Sequence, residues 1–118
     1  MIHHIAIGTP HPTQLAAFYR TLPGAQLIRE FYYESGALRS VWIQFDSILL
    51  MLEEGERLAP KNLVFSLNSS NLPLWKDWIK TIPITHHTDF TIYFQDPDGN
   101  GLGLSSYPEK LPFSIEMS

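Results

Sequence analysis

One arrangement of segments runs twice along this 118-residue chain, and that duplication limits the fold more than any single motif. In the first half, Ile2-His3-His4-Ile5-Ala6-Ile7 carries β-branched residues in alternation, which is the pattern of a strand with His4 and Ala6 on one face and Ile5 and Ile7 on the other. Thr13 can cap a helix whose Leu15, Phe18, Tyr19 and Leu22 recur at i, i+3, i+4 and i+7, and Pro23-Gly24 stops it. Three strands are expected next, over residues 25–33, 38–45 and 47–53, joined by Glu34-Ser35-Gly36 and Asp46-Ser47. The second half repeats the order. Residues 62–67 read as a strand, and Leu72, Trp75 and Ile79 form the stripe of a helix with Pro73 in its first turn. Residues 82–87, 88–95 and 101–107 supply three further strands. The charged, Gly- and Pro-containing stretch between the halves reads as a linker, giving modules over 1–57 and 58–107 and a tail over 108–118 that packs irregularly or extends to a partner.

The last two strands flank Asp96-Pro97-Asp98-Gly99-Asn100, whose chemistry suits a type I turn. Pro97 presets φ at the second position, Asp96 can accept from the backbone ahead of it, and Gly99 relieves the exit. Gly101 and Gly103 then fall on one face of the final strand. A glycine pair there marks a close approach or an empty space.

Composition narrows function by exclusion. The formal net charge is −4, and the 8 Lys and Arg residues are scattered singly, so the basic footprint of a nucleic-acid binder is missing. There are 0 cysteines, which removes thiolate nucleophiles, disulfides and Cys-type zinc sites. The apolar run at residues 48–52 is too short to span a bilayer, and no signal-peptide pattern opens the chain, so a cytoplasmic protein with no membrane partner is expected.

These residues resemble the vicinal-oxygen-chelate superfamily of glyoxalases, bleomycin-resistance proteins and extradiol dioxygenases. The carriers are Ile2-His3-His4-Ile5-Ala6-Ile7, Phe18-Tyr19, and Tyr93-Phe94-Gln95-Asp96-Pro97-Asp98-Gly99-Asn100. The resemblance implies an α+β fold of two β-α-β-β-β modules whose curved, cup-shaped sheet has helices outside, and a homodimer. It further implies that the family's divalent metal would be held from the first and last strand of each module. Those positions fall on His4, Met51, Asn62 and Gly103, of which His4 alone is a good ligand for the metals concerned. Strand parity agrees independently, since Leu63, Phe65 and Leu67 oppose Asn62, Val64 and Ser66, and Leu102 and Leu104 oppose Gly101 and Gly103.

The expectation is therefore a cavity that binds a small aromatic or amphipathic molecule with no metal cofactor. Trp42 and Gln44, which share a face, join His4, Met51, Asn62 and Gly103 as candidate ligand-binding residues. The alternative is a metal-dependent lyase, isomerase or dioxygenase with a displaced set drawn from His4, Glu53, His86 and His87. Alternation sends only one of His86 and His87 to the site face and does not decide which.

Overall fold

The computed structural model describes residues 4–56 and 62–114. The backbone groups into two units, Met1–Ala59 and Pro60–Ser118. The expected module boundary at residue 57 lies outside the described residues.

The first unit runs β1 (His4–Thr9), α1 (Pro12–Tyr19), β2 (Gln26–Tyr32), β3 (Leu38–Phe45) and β4 (Ile48–Glu54). The strands lie in the order β1-β4-β3-β2, with β1 parallel to β4 and the other pairs antiparallel. One face is the core: Ile7, Val41, Ile43, Leu50 and Leu52 are each at most 2% exposed, and α1 packs Leu15, Ala16 and Tyr19 against β3 and β4. Burying each such side chain contributes about 1.5–3 kcal/mol.

The helix begins earlier than the sequence suggested. His11, not Thr13, is the N-cap residue, and Pro12 opens the helix, where its missing N–H costs nothing. The Thr9 hydroxyl accepts the His11 N–H at 3.0 Å and so fixes the approach to that first turn. At the other end the helix closes at Tyr19, ahead of Pro23-Gly24. Thr21 and Leu22 bond back to the carbonyls of Phe18 and Tyr19, a tightened last turn that keeps Leu22 2% exposed.

The second unit runs β5 (Asn62–Ser66), α2 (Leu72–Trp78) with a short 3-10 turn over Ile79–Thr81, β6 (His86–His87), β7 (Thr91–Gln95) and β8 (Gly101–Ser105). Its order, β5-β8-β7-β6, and its single parallel pair, β5 with β8, reproduce the first sheet. Ile92, Phe94, Leu102 and Leu104 are at most 1% exposed, and α2 reaches the sheet through Trp75 on Phe65 and Trp78 on Phe94, with ring centroids 5.7 and 5.1 Å apart.

All four of its strands are shorter than expected, β6 and β7 most of all and for local reasons. Thr88 pulls the chain into a turn, its hydroxyl accepting from the N–H groups of Phe90 and Thr91 at 3.1 Å each, so β7 starts at Thr91. Pro83 has no N–H to give a ladder, and the register with β7 covers His86 and His87, with Thr85 N–H donating to the Tyr93 carbonyl at 2.8 Å ahead of them. The described part of the tail, residues 108–114, folds back on its own unit: Leu111 N–H donates to the Asp89 carbonyl at 2.8 Å, and just before it Tyr107 meets Phe90 edge-on.

The turn at Asp96 is held as its chemistry suggests. Gly99 N–H donates to the Asp96 carbonyl at 3.0 Å, and Gly99 sits at φ +86°, where a Cβ would be strained. The Asp96 carboxylate accepts from Asp98 N–H, Asn100 N–H and the Asn100 side-chain amide at 2.8–2.9 Å, and is 5% exposed. The Tyr33–Ala37 hairpin uses the same bond pattern, with Gly36 at φ +91°.

Candidate functional site

Each sheet has a second face, opposite its core, and the register fixes what lies there. On the first sheet, β1 and β4 place Ala6 beside Met51 and Gly8 beside Glu53, while β3 sets Trp42 beside Met51 and Ser40 beside Glu53. Two rows form: Ala6-Met51-Trp42-Arg29 and Gly8-Glu53-Ser40-Phe31. Neighbouring strands are about 4.8 Å apart, so these side chains are in mutual reach.

Together with Tyr33, Arg39 and Glu54, part of this face forms an open pocket of about 650 Å³ lined by Phe31, Ser40, Trp42, Met51 and Glu53. Its floor is apolar: the Phe31 and Trp42 rings meet at 5.1 Å, tilted by 54°, with the Met51 thioether alongside. The Trp42 indole N–H is buried and has no hydrogen-bond partner among the described residues. An unmet donor of that kind costs about 1–3 kcal/mol.

Polar groups ring the floor. The Tyr33 hydroxyl donates to Glu54 Oε1 at 2.8 Å, and that bond, with the nearby negative charge, pushes the phenol above its ordinary value of 10. Arg39 lies with its guanidinium 5.5 Å from the Phe31 ring centroid, and Arg29 at 5.0 Å.

Arg39 reaches the pocket because the strand is irregular there. Simple alternation would put it with Val41 and Ile43, toward the core. The register instead jumps from Phe31 opposite Ser40 to Tyr32 opposite Leu38, leaving Arg39 as an extra residue. Such a bulge re-aims a side chain.

Of the residues the sequence singled out, Trp42, Met51 and Glu53 come together here. His4 and Gln44 share the face but lie one row further along, level with Leu49, and are not part of the lining. Gln44 is occupied locally, its side-chain amide donating to the Asp46 carbonyl at 2.8 Å. Arg39, Ser40 and Glu54 were not foreseen, since two of the three break the alternation on which the reading of faces relied.

The second sheet answers a different question. Gly103 lies opposite Tyr93, and a Cβ placed on it would come within 3.2 Å of the Tyr93 ring and of Val64 Cγ2. The tyrosine ring therefore covers the spot where a longer side chain would stand. His86 pairs with Tyr93 and stacks on it, with centroids 5.8 Å apart and planes within 18°, so His86 is the member of the histidine pair that shares the Gly103 face. His87 pairs with Ile92 and has the opposite parity. The Asn62 side chain lies outside the described residues.

No family model and no curated protein matches this chain in sequence. Solved structures do match it in three dimensions, and they give it the glyoxalase/dioxygenase fold. One is a variant of the fosfomycin resistance protein FosX from Listeria monocytogenes, complexed with Mn(II) and 1S,2S-dihydroxypropylphosphonic acid. It has a TM-score of 0.71 at 18% identity, over 90% of this chain and 91% of that one. A lactoylglutathione lyase from Agrobacterium tumefaciens gives a TM-score of 0.71 at 18% identity, over 91% and 93%. The oxidase ChaP-H2 gives 0.70 at 14% identity, over 92% and 94%.

The positions that the resemblance assigned to a metal carry few donors among the described residues. Gly103 has no side chain, Met51 offers a soft thioether, and within either unit no group of three or more described His, Asp or Glu residues is placed to hold a metal. Among the described residues, no helix is long and apolar enough to cross a membrane.

Proposed function

We propose that this protein binds a small aromatic or amphipathic organic molecule on the open face of its first sheet, without the metal ion associated with the fold. The observation that carries this reading is the 650 Å³ pocket floored by Phe31, Trp42 and Met51 and ringed by a few polar groups. That combination of apolar area with sparse, directional polar contacts is how small-molecule sites are built. Binding of this sort needs no group to transfer a proton or polarise a bond, which suits a role in sequestration or carriage, as in the bleomycin-resistance proteins.

The test is a ligand-observed NMR screen of aromatic fragments against the whole chain, paired with equilibrium dialysis against Mn²⁺, Ni²⁺ and Zn²⁺. Fragments that bind the native protein and lose at least about tenfold in affinity with Trp42→Ala support the reading. Stoichiometric uptake of one of these ions that His4→Ala abolishes would overturn it. That result would favour a metal-dependent enzyme using His4, Glu53, His86 or His87.

A further inference from the structure

We propose that the occupant of this pocket is zwitterionic: an aromatic molecule whose ammonium group is received by Glu53 and whose carboxylate is received by Arg39. This rests on the reading that the pocket binds an aromatic molecule, and it adds the charges that molecule carries.

Charges of both signs line the pocket, Arg39 against Glu53 and Glu54, and Arg39 and Glu53 do not neutralise each other by an ion pair. Glu53 stands directly across from Ser40, and Arg39 is the residue next to Ser40, yet they form no ion pair; the two found among the described residues are Arg20 with Glu30 and Lys80 with Asp77. Glu54, by contrast, already receives the Tyr33 hydroxyl. Arg39 lies 5.5 Å from the Phe31 ring centroid and its charge acts on the Tyr33 phenol, and its side chain is exposed. Its presence at the pocket depends on the bulge, without which it would lie on the other face.

The physical argument turns on desolvation. An aromatic body seated on Phe31, Trp42 and Met51 excludes water from both charged groups at the rim. A neutral ligand would strip both of hydration and return nothing, and a singly charged one would satisfy one and strand the other. A zwitterion meets both with charge-assisted hydrogen bonds, and Arg39 can take a carboxylate with two parallel N–H donors.

Four matched probes separate these cases at pH 7: L-tryptophan, tryptamine, indole-3-propionate and 3-methylindole, which carry both charges, the cation, the anion and neither. Dissociation constants from ligand-observed NMR should place L-tryptophan at least about tenfold tighter than any of the other three. Arg39→Gln should weaken L-tryptophan and indole-3-propionate by about tenfold and leave tryptamine unchanged. Glu53→Gln should do the reverse, weakening L-tryptophan and tryptamine only. Both side chains are exposed, so neither change disturbs the core. Equal affinity for all four probes overturns the charge assignment while the aromatic reading stands. Failure of all four to bind also overturns it, and the fragment screen with Trp42→Ala then decides the aromatic reading separately.

Discussion

On the first sheet the face opposite the core surrounds a pocket with Trp42, Met51 and Glu53, whereas the matching face of the second carries Gly103 beneath the ring of Tyr93. The strand orders are the same, with β1-β4-β3-β2 answered by β5-β8-β7-β6, and each sheet has one parallel pair at the same place. The scaffold is thus repeated while its furnishings are not. Core positions are tied by packing on both sheets, but the open faces owe nothing to the core and can diverge. One became a cavity and the other was closed by an aromatic ring lying over a glycine.

The comparison can be broken most severely at the turn that holds the second sheet. Asp96→Ala removes the acceptor of three hydrogen bonds at a site 5% exposed, and the loss should be about 3 kcal/mol in urea unfolding. The turn on the first sheet, where Tyr33 and Gly36 bond through the backbone and the Ser35 hydroxyl accepts from the Ala37 N–H at 3.4 Å, shows no such carboxylate bond to lose.

On the first sheet Trp42→Ala should remove the pocket floor, cost at least tenfold in fragment affinity and lower stability by about 2 kcal/mol, a partial loss because the ring is only half-buried. A smaller effect is expected at Gly103→Ala. The added methyl would sit 3.2 Å from both the Tyr93 ring and Val64, and thermal unfolding should show about 1 kcal/mol of destabilisation that Tyr93→Ala in the same chain relieves.

The mildest change is electrostatic. Glu54→Gln should bring the Tyr33 phenol back down toward 10, read as an earlier rise in tyrosinate absorbance. Because the phenol is raised in the folded state, its bond to Glu54 supports the fold fully below pH 10. That support fades as pH rises through the elevated value, and the variant should lack this slope.

Much of this architecture was legible in the chain. Alternation alone separated Leu102 and Leu104 from Gly101 and Gly103, and placed Trp42 and Gln44 on one face, because a strand with a buried side cannot slip by one residue without exposing its core. The turn residues 96–100 announced both the hairpin and its hydrogen bonds. The pocket was only half legible. Trp42 followed the period of two, but Arg39 entered through an extra residue that no pattern of apolar positions marks, since a bulge is set by how two strands meet. The start of α1 was misplaced for a related reason: Thr13 has the chemistry of a cap, and the hydroxyl of Thr9, two residues before His11, serves that turn instead.

The irregular pairing of β2 has one more effect, on how the molecule behaves in a crowd of its own kind. β2 is an edge strand seven residues long, with Leu27, Ile28 and Tyr32 between 41% and 56% exposed. A straight ribbon of that length and composition would be an invitation to stack, copy upon copy, into fibrils. The register breaks twice along it, between Leu27 and Arg29 and between Phe31 and Tyr32. Each break bends the strand and interrupts the even row of N–H and C=O groups that such stacking would need.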